Sequence, residues 1–224
     1  HAAAPCPVEL KHKMIDWWGN IFYEYYSGSE GIGMTHADPD QWLKFPGTVG
    51  KPLMGIIHIC DDQGQEVPPG EIGKIYFESD HEFNYHNDNK KREKVKHSHH
   101  SSWSSFGDIG YVNEEGYLFL TDRESFMIIS GGVNIYPQEV ENLLSMHEDV
   151  EDVAVIGIPD EDMGEQVKAY IRLSQNAEIR TNQAEYFIEY TRSNLAHYKC
   201  PKSIDFVDNL PRSDAGKLVK RYLK

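Results

Sequence analysis

The stretch Gly107-Asp108-Ile-Gly-Tyr-Val-Asn-Glu-Glu-Gly-Tyr-Leu-Phe-Leu-Thr-Asp122-Arg123-Glu-Ser125-Phe126-Met-Ile-Ile129-Ser-Gly131-Gly132-Val-Asn-Ile-Tyr136-Pro137-Gln-Glu-Val-Glu141 decides how the chain reads. Two β-like runs flank the turn Asn113-Glu114-Glu115-Gly116, an acid and a base stand together at Asp122-Arg123, and a glycine pair leads into a helix start at Pro137. Before this stretch the chain carries strand and turn signals. Past Arg123 the pattern becomes α/β.

Upstream, Leu10 to Trp18 places Leu10, Met14, Trp17 and Trp18 on one helical face, ended by Gly19-Asn20. Ile21 to Tyr26 then reads as a short aromatic strand. It runs into Ser27-Gly28-Ser29-Glu30-Gly31, where backbone N–H groups and one carboxylate meet at a single point, an arrangement that suits a bound nucleotide and its metal. Residues 55–60 and 73–77 are β-like, parted by Asp61-Asp62-Gln63-Gly64 and Pro68-Pro69-Gly70, so a small β subdomain is expected here. Residues 84–105 are polar, with Lys90-Lys91-Arg92 and His97, His99 and His100. No strand pattern fixes the geometry of these histidines, so a solvated helix and loop suits them better than a metal site.

Downstream, Val140, Leu143 and Leu144 recur at helical spacing, and Val153 to Ile158 is a continuous apolar run suited to a buried strand. Val167, Ala169, Ile171 and Leu173 alternate with polar residues, the mark of a strand with one wet face. Ala184, Phe187, Ile188, Thr191 and Leu195 mark a second helix, and Ser203 to Val207 a last strand. Leu210 to Lys217 is a loop before a basic terminal helix. The expectation is a small domain of three strands with helices packed on it.

A chain of 224 residues holds one large domain or two small ones. Its formal charge of -14, from 36 acidic and 22 basic residues, repels a phosphate backbone and argues against nucleic acid as a partner. An anionic substrate would need local positive groups. Cys6, Cys60 and Cys200 are few and lack ligand spacing, which fits reduced thiols in a cytoplasmic protein. No run reaches the roughly 18 apolar residues of a transmembrane segment.

Tyr25-Tyr26-Ser27-Gly28-Ser29-Glu30 resembles the aromatic, Gly, Thr/Ser, Glu motif of the adenylate-forming (AMP-binding) superfamily, and Gly107 to Glu141 resembles the place where acyl-CoA synthetases pass from large to small domain. The resemblance runs almost end to end, over less than half of a family member. It implies an α/β (α+β) fold: residues 1–122 as the C-terminal portion of the large AMP-binding domain with a β subdomain, 123–126 as a hinge, and 127–224 as a small mobile C-terminal domain. His1 to Pro7 reads as a cut edge. The family's phosphate loop and most of the acyl pocket are expected upstream of His1, and the chain alone is expected to be inactive.

The same resemblance implies the site. Tyr25 or Tyr26 would stack on adenine, Ala3 and Ala4 would line it, Ser29 would reach a phosphate, and Glu30 would ligate Mg2+. Asp108 would bind the ribose hydroxyls and Arg123 the ribose and phosphate region. Gly131 and Gly132 would let the pantetheine of coenzyme A approach, and Lys217 would serve adenylation by spanning two oxygens that gain charge. Each has a plainer reading: packed tyrosines and a turn, a turn cap at Asp108, an Arg123–Asp122 ion pair, a plain glycine turn, a solvated lysine. The family pivot falls on Ser125, where Lys or Asp is usual, followed by Phe126, and a family lysine falls on Ile129. The implied activity joins a small-molecule carboxylic acid to CoA with ATP, through an acyl-adenylate and AMP. An adenylation domain that loads a carrier protein and a non-catalytic interaction module are the alternatives.

Overall fold

The segments with strand character pair into two separate sheets, one in each of two units, His1–Ser125 and Phe126–Lys224. The computed structural model describes residues 1–81, 83, 93, 95–214 and 216–223, so Lys90-Lys91-Arg92 lies outside the described residues.

The first unit runs α1 (Val8–Trp18), β1 (Glu24–Ser27), β2 (Met34–Ala37), α2 (Pro39–Lys44), β3 (Thr48–Met54), β4 (Ile56–Cys60), β5 (Gly73–Glu78), β6 (Trp103–Ser104), β7 (Asp108–Val112) and β8 (Leu118–Arg123). Its sheet has the order β1-β2-β3-β8-β7-β5-β4, with β6 also on β5. Every pairing is antiparallel. Strand β3 is shared: Thr48 and Gly50 pair with β8, Lys51 to Met54 with β2, and the register slips on both sides. Such slips bend a sheet, and here the bend carries the end of β1 back toward the start of β7. Ile32, Ile75, Phe77 and Leu118 fill the space between.

Upstream, two expectations change and one helix packs through a charge. The aromatic strand begins at Glu24 rather than Ile21, because its partner β2 ends at Ala37 and Asp38 then caps α2 in a capping box with Gln41. Helix α1 does not bury its apolar face: Leu10, Trp17 and Trp18 are exposed, and its one buried residue is Lys11, 1 % exposed. The Lys11 ammonium lies 2.5 Å from Glu24 Oε2 and 4.4 Å from the Trp42 ring centre. A desolvated charge needs such partners, and this contact sets the helix orientation. His97 is buried rather than solvated, with Nε2 facing the Gly64 carbonyl and Nδ1 accepting from the N–H groups of His99 and His100.

The second unit contains β9 (Ile128–Ser130), β10 (Val133–Ile135), α3 (Pro137–Ser145), β11 (Val150–Asp160), β12 (Gly164–Leu173), α4 (Gln183–Asn194) and β13 (Ser203–Phe206). The sheet order is β10-β9-β12-β11, with β13 parallel to β12. It therefore has five strands, not three. The additional pair is the β9–β10 hairpin, whose turn is Gly131-Gly132 with φ of 59° and 79°. A two-residue hairpin turn with two positive φ values favours glycine. Val140, Leu144 and Phe187 pack with Val155, Ala169 and Ile171 of the central strands. The basic terminal helix shrinks to one 3-10 turn, Lys220–Tyr222, because the preceding backbone is taken up by an Arg212–Leu218 bridge.

Candidate functional site

The first unit brings together the end of β1, the start of β7 and the end of β8. Tyr26 Oη donates to Asp108 Oδ2 across 2.5 Å. Arg123, paired in register with Asp108, has its Nε 3.3 Å from Asp108 Oδ1. The Arg123 side chain thus turns to Asp108, while Asp122 Oδ1 accepts the Arg123 backbone N–H. Alternation along β1 puts Tyr25 and Tyr26 on opposite faces of the strand. Tyr25 is exposed, whereas the Tyr26 ring meets Phe106 edge-on at 5.5 Å and Phe77 at 6.2 Å.

Burial pushes the Asp108 carboxyl above its ordinary value, against the Tyr26 hydrogen bond and the Arg123 charge, which pull it down. Burial first, and then the Asp108 charge, push the Tyr26 phenol well up, so it remains a donor. The negative charge of Glu30 raises both groups as well. Between Tyr26 and Glu30 the backbone turns, with the Gly31 N–H donating to the Gly28 carbonyl at 3.1 Å. A Cβ at Gly28 would stand 2.4 Å from Phe106 Cε1 and 2.6 Å from Glu30 Oε2, so the turn passes too close for any side chain. Ser29 is exposed and Glu30 half-buried. Ala3 and Ala4 follow His1, whose carbonyl accepts from the Tyr25 N–H at 3.1 Å, so the amino-terminal residues leave from beside β1.

Among the described residues no group of three or more His, Cys, Asp or Glu is placed to hold a metal. A magnesium ion shared between one carboxylate and the phosphates of a nucleotide needs no such group, and the Glu30 carboxylate beside an exposed hydroxyl and a tight backbone turn fits that mode.

The second unit holds the remaining candidates. Lys217 ends a turn in which the Ser213 N–H donates to the Lys217 carbonyl (2.9 Å) and the Gly216 N–H to the Ser213 carbonyl (2.8 Å). Arg212 braces it, reaching the Gly216 carbonyl at 2.8 Å and Asp152 at 2.5 Å. The Lys217 side chain is exposed and makes no ion pair among the described residues. Gly131 and Gly132 form the hairpin turn; a Cβ on Gly132 would meet nothing within 4 Å, and the Gly131 N–H donates to the Met163 carbonyl. Ser125 is exposed in the 3-10 turn Glu124–Phe126, at the boundary of the two units, and Ile129 is half exposed on β9.

Besides Lys11 and Glu24, a second buried pair escaped sequence reading. Lys220 Nζ lies 2.7 Å from Glu141 Oε1, both side chains under a tenth exposed. Its signal was present in α3, where Glu141 shares the inward stripe of Pro137, Val140 and Leu144. A carboxylate on an apolar stripe calls for a cation.

Comparison with known proteins covers both units. The family described as "AMP-binding enzyme" matches residues 1–84, and "AMP-binding enzyme C-terminal domain" matches residues 139–217. An uncharacterized acyl-CoA ligase of Bacillus subtilis is 36% identical over 225 residues, covering 100% of this chain and 44% of the relative. A long-chain-fatty-acid–CoA ligase of the same organism is 35% identical, covering 99% of this chain and 39% of the relative. Among solved structures, o-succinylbenzoate CoA synthetase from Bacillus subtilis, in complex with its acyl-adenylate intermediate, superposes with a TM-score of 0.83 at 32% identity, over 100% of this chain and 45% of that one. ATP-bound MatB from Rhodopseudomonas palustris gives 0.85 at 30% identity, over 99% and 44%. The chain therefore spans less than half the length of the relatives it matches, and across that span it belongs to the AMP-binding, adenylate-forming enzyme family, alongside acyl-CoA ligases.

Proposed function

We propose that the protein to which this chain belongs joins a carboxylic acid to coenzyme A at the expense of ATP. The carboxylate attacks the α-phosphorus, giving an acyl-adenylate and diphosphate; the thiol of coenzyme A then takes the acyl group and AMP leaves. The observation that carries this reading is the convergence of Tyr26, Asp108 and Arg123, a ring, a hydroxyl acceptor and a fixed cation in one place. Base, sugar and phosphate of one nucleotide call for that set.

Asp108 accepts from the ribose hydroxyls, and Arg123, already turned toward it, faces the sugar and phosphate. Tyr26 shares a face with Asp108 and so serves the base better than Tyr25, on the other face of β1. Ala3 and Ala4, leaving from beside β1, flank the base. Ser29 and Glu30 take the phosphate side, where Glu30 would hold a magnesium ion that offsets phosphate charge. Lys217, exposed on a braced turn, supplies the ammonium that stabilises charge built up as the carboxylate attacks. The side-chain-free turn Gly131-Gly132 receives the pantetheine arm. In this reading residues 1–122 close the large domain, 123–126 form the hinge with Ser125 as pivot, and 127–224 move as the small domain, so that adenylation and thioester formation use different faces in turn. The cytoplasm, where ATP and CoA are supplied, suits three free thiols.

The test uses the complete protein with Lys217→Ala and three acids named for relatives: a long-chain fatty acid, 2-succinylbenzoate and ferulate. With the acid that supports turnover, ATP–diphosphate exchange should fall by about a hundredfold or more, as when a transition-state donor is lost. Thioester formation from supplied acyl-adenylate should persist. Equal loss of both steps refutes the role of Lys217. Transfer to a carrier protein but not to free coenzyme A would replace the acceptor.

A further inference from the structure

Lys220 is 6 % exposed, an unusual position for an ammonium three residues beyond an exposed lysine. It touches two parts of the second unit directly, and a third through Glu141. Its Nζ is 2.7 Å from Glu141 Oε1 on α3, the same oxygen accepts the Val155 N–H of β11 at 2.6 Å, and the ammonium stands 4.7 Å from the centre of the Phe126 ring. Phe126 is the first residue after Ser125. On the other side of Ser125, Glu124 is fastened to the first unit: its Oε2 lies 2.9 Å from Lys74 Nζ, and its N–H donates to the Gly107 carbonyl at 3.0 Å. The chain is thus tied down immediately before and immediately after Ser125.

A buried ion pair is a poor source of net stability, since desolvation offsets most of the attraction. What it does supply is a fixed geometry, because a desolvated charge that loses its partner is heavily penalised. Here the geometry links the residue after Ser125 to the segment that carries Lys217. We propose that Lys220 is a positioning residue for adenylation: through Glu141 and Phe126 it fixes the terminal segment to the far side of the pivot, so that rotation at Ser125 delivers Lys217 as part of one rigid body. This rests on the reading of Lys217 and Ser125 given above. Lys220 itself has no contact with substrate in this scheme.

Lys220→Met alone leaves Glu141 buried without its cation and can unfold the unit, so the decisive variant is Lys220→Met/Glu141→Gln in the complete protein. The amide oxygen that Glu141→Gln introduces would still accept from the Val155 N–H. Three measurements read it. Hydrogen exchange at the Ser213, Gly216 and Val219 amides, all bonded within the terminal turn, should quicken by roughly tenfold or more while Ala169 and Ile171 stay protected. ATP–diphosphate exchange should fall by roughly 10- to 100-fold in kcat with the KM for ATP changed by less than about twofold, as expected for a misplaced catalytic group. Thioester formation from supplied acyl-adenylate should hold within about threefold, and Lys220→Arg should restore much of the exchange.

Unchanged amide exchange at 213–219, or equal loss of both half-reactions, would overturn the proposal. If instead Lys217→Ala keeps full ATP–diphosphate exchange while the amides of 213–219 still loosen in the double variant, the role of Lys217 falls and the mechanical link stands.

Discussion

The hydroxyl of Tyr26 and the carboxylate of Asp108, 82 positions apart, meet at 2.5 Å, and Arg123 closes on the second carboxylate oxygen. Tyr26→Phe keeps the ring between Phe77 and Phe106 and removes only the donor. The expected result in the complete protein is about a tenfold weaker affinity for ATP, the worth of one hydrogen bond to a charged group, with the melting temperature little changed. Titration calorimetry with Mg-ATP checks it; unaltered affinity would show that nucleotide binding does not need the Tyr26 hydroxyl to hold Asp108 in place.

Gly28→Ala should act on the same place by crowding. The new methyl would need Phe106 or the Glu30 carboxylate to move, and overpacking of this kind costs about 1–3 kcal/mol. Lower thermal stability together with weakened Mg-ATP binding is expected. Full binding with an unchanged melt would mean that the turn yields without effect.

In the second unit, Asp149 Oδ2 lies 2.8 Å from Arg180 and its Oδ1 accepts the Glu178 N–H at 2.9 Å. The Arg180 hydrogen bond, followed by that backbone N–H, holds the carboxyl below its ordinary value. A folded value below the unfolded one gives stability that is complete above the unfolded pKa and lost as pH falls through the folded value. Asp149→Asn should therefore lower the melting temperature at neutral pH, and the deficit should shrink below about pH 4, where the carboxyl of the unfolded chain begins to take up its proton while the folded one still holds its charge. Calorimetric melts across pH decide it; a deficit that stays constant would assign the effect to packing.

Phe187 is wholly buried at the junction of α4 and the sheet, 5.0 Å from the His147 ring and 6.2 Å from Phe206. Phe187→Ala should cost about 3–5 kcal/mol, the range for an aromatic removed from a packed core. Urea unfolding monitored in the second unit measures this, and a loss below about 1 kcal/mol would show that the cavity collapses.

Local signals account for what the sequence disclosed. The β7–β8 hairpin follows from Asn113 to Gly116, and the alternation of Val167, Ala169 and Ile171 reports the inner face of β12. The β9–β10 hairpin stayed hidden because its strands are three residues long and Ile129 and Val133 face outward, which leaves no alternation to detect. The packing of α1 stayed hidden for another reason: Lys11 takes the inward position and the indoles the outward one, so the apolar stripe does not mark the buried face. At the site, residue types were readable and placement was not. Nothing local says that Tyr26 rather than Tyr25 turns to Asp108; that depends on the bend at β3, a property of strand pairing over long separations.

The outward indoles of α1 also give the chain an optical probe. Of its four tryptophans, Trp42 and Trp103 are buried, whereas Trp17 and Trp18 are 76 % and 52 % exposed and stacked at 4.8 Å. Their emission, long in wavelength while they face water, would move to the blue as soon as any polypeptide covered that helix, so such an association could be followed by fluorescence without attaching a dye.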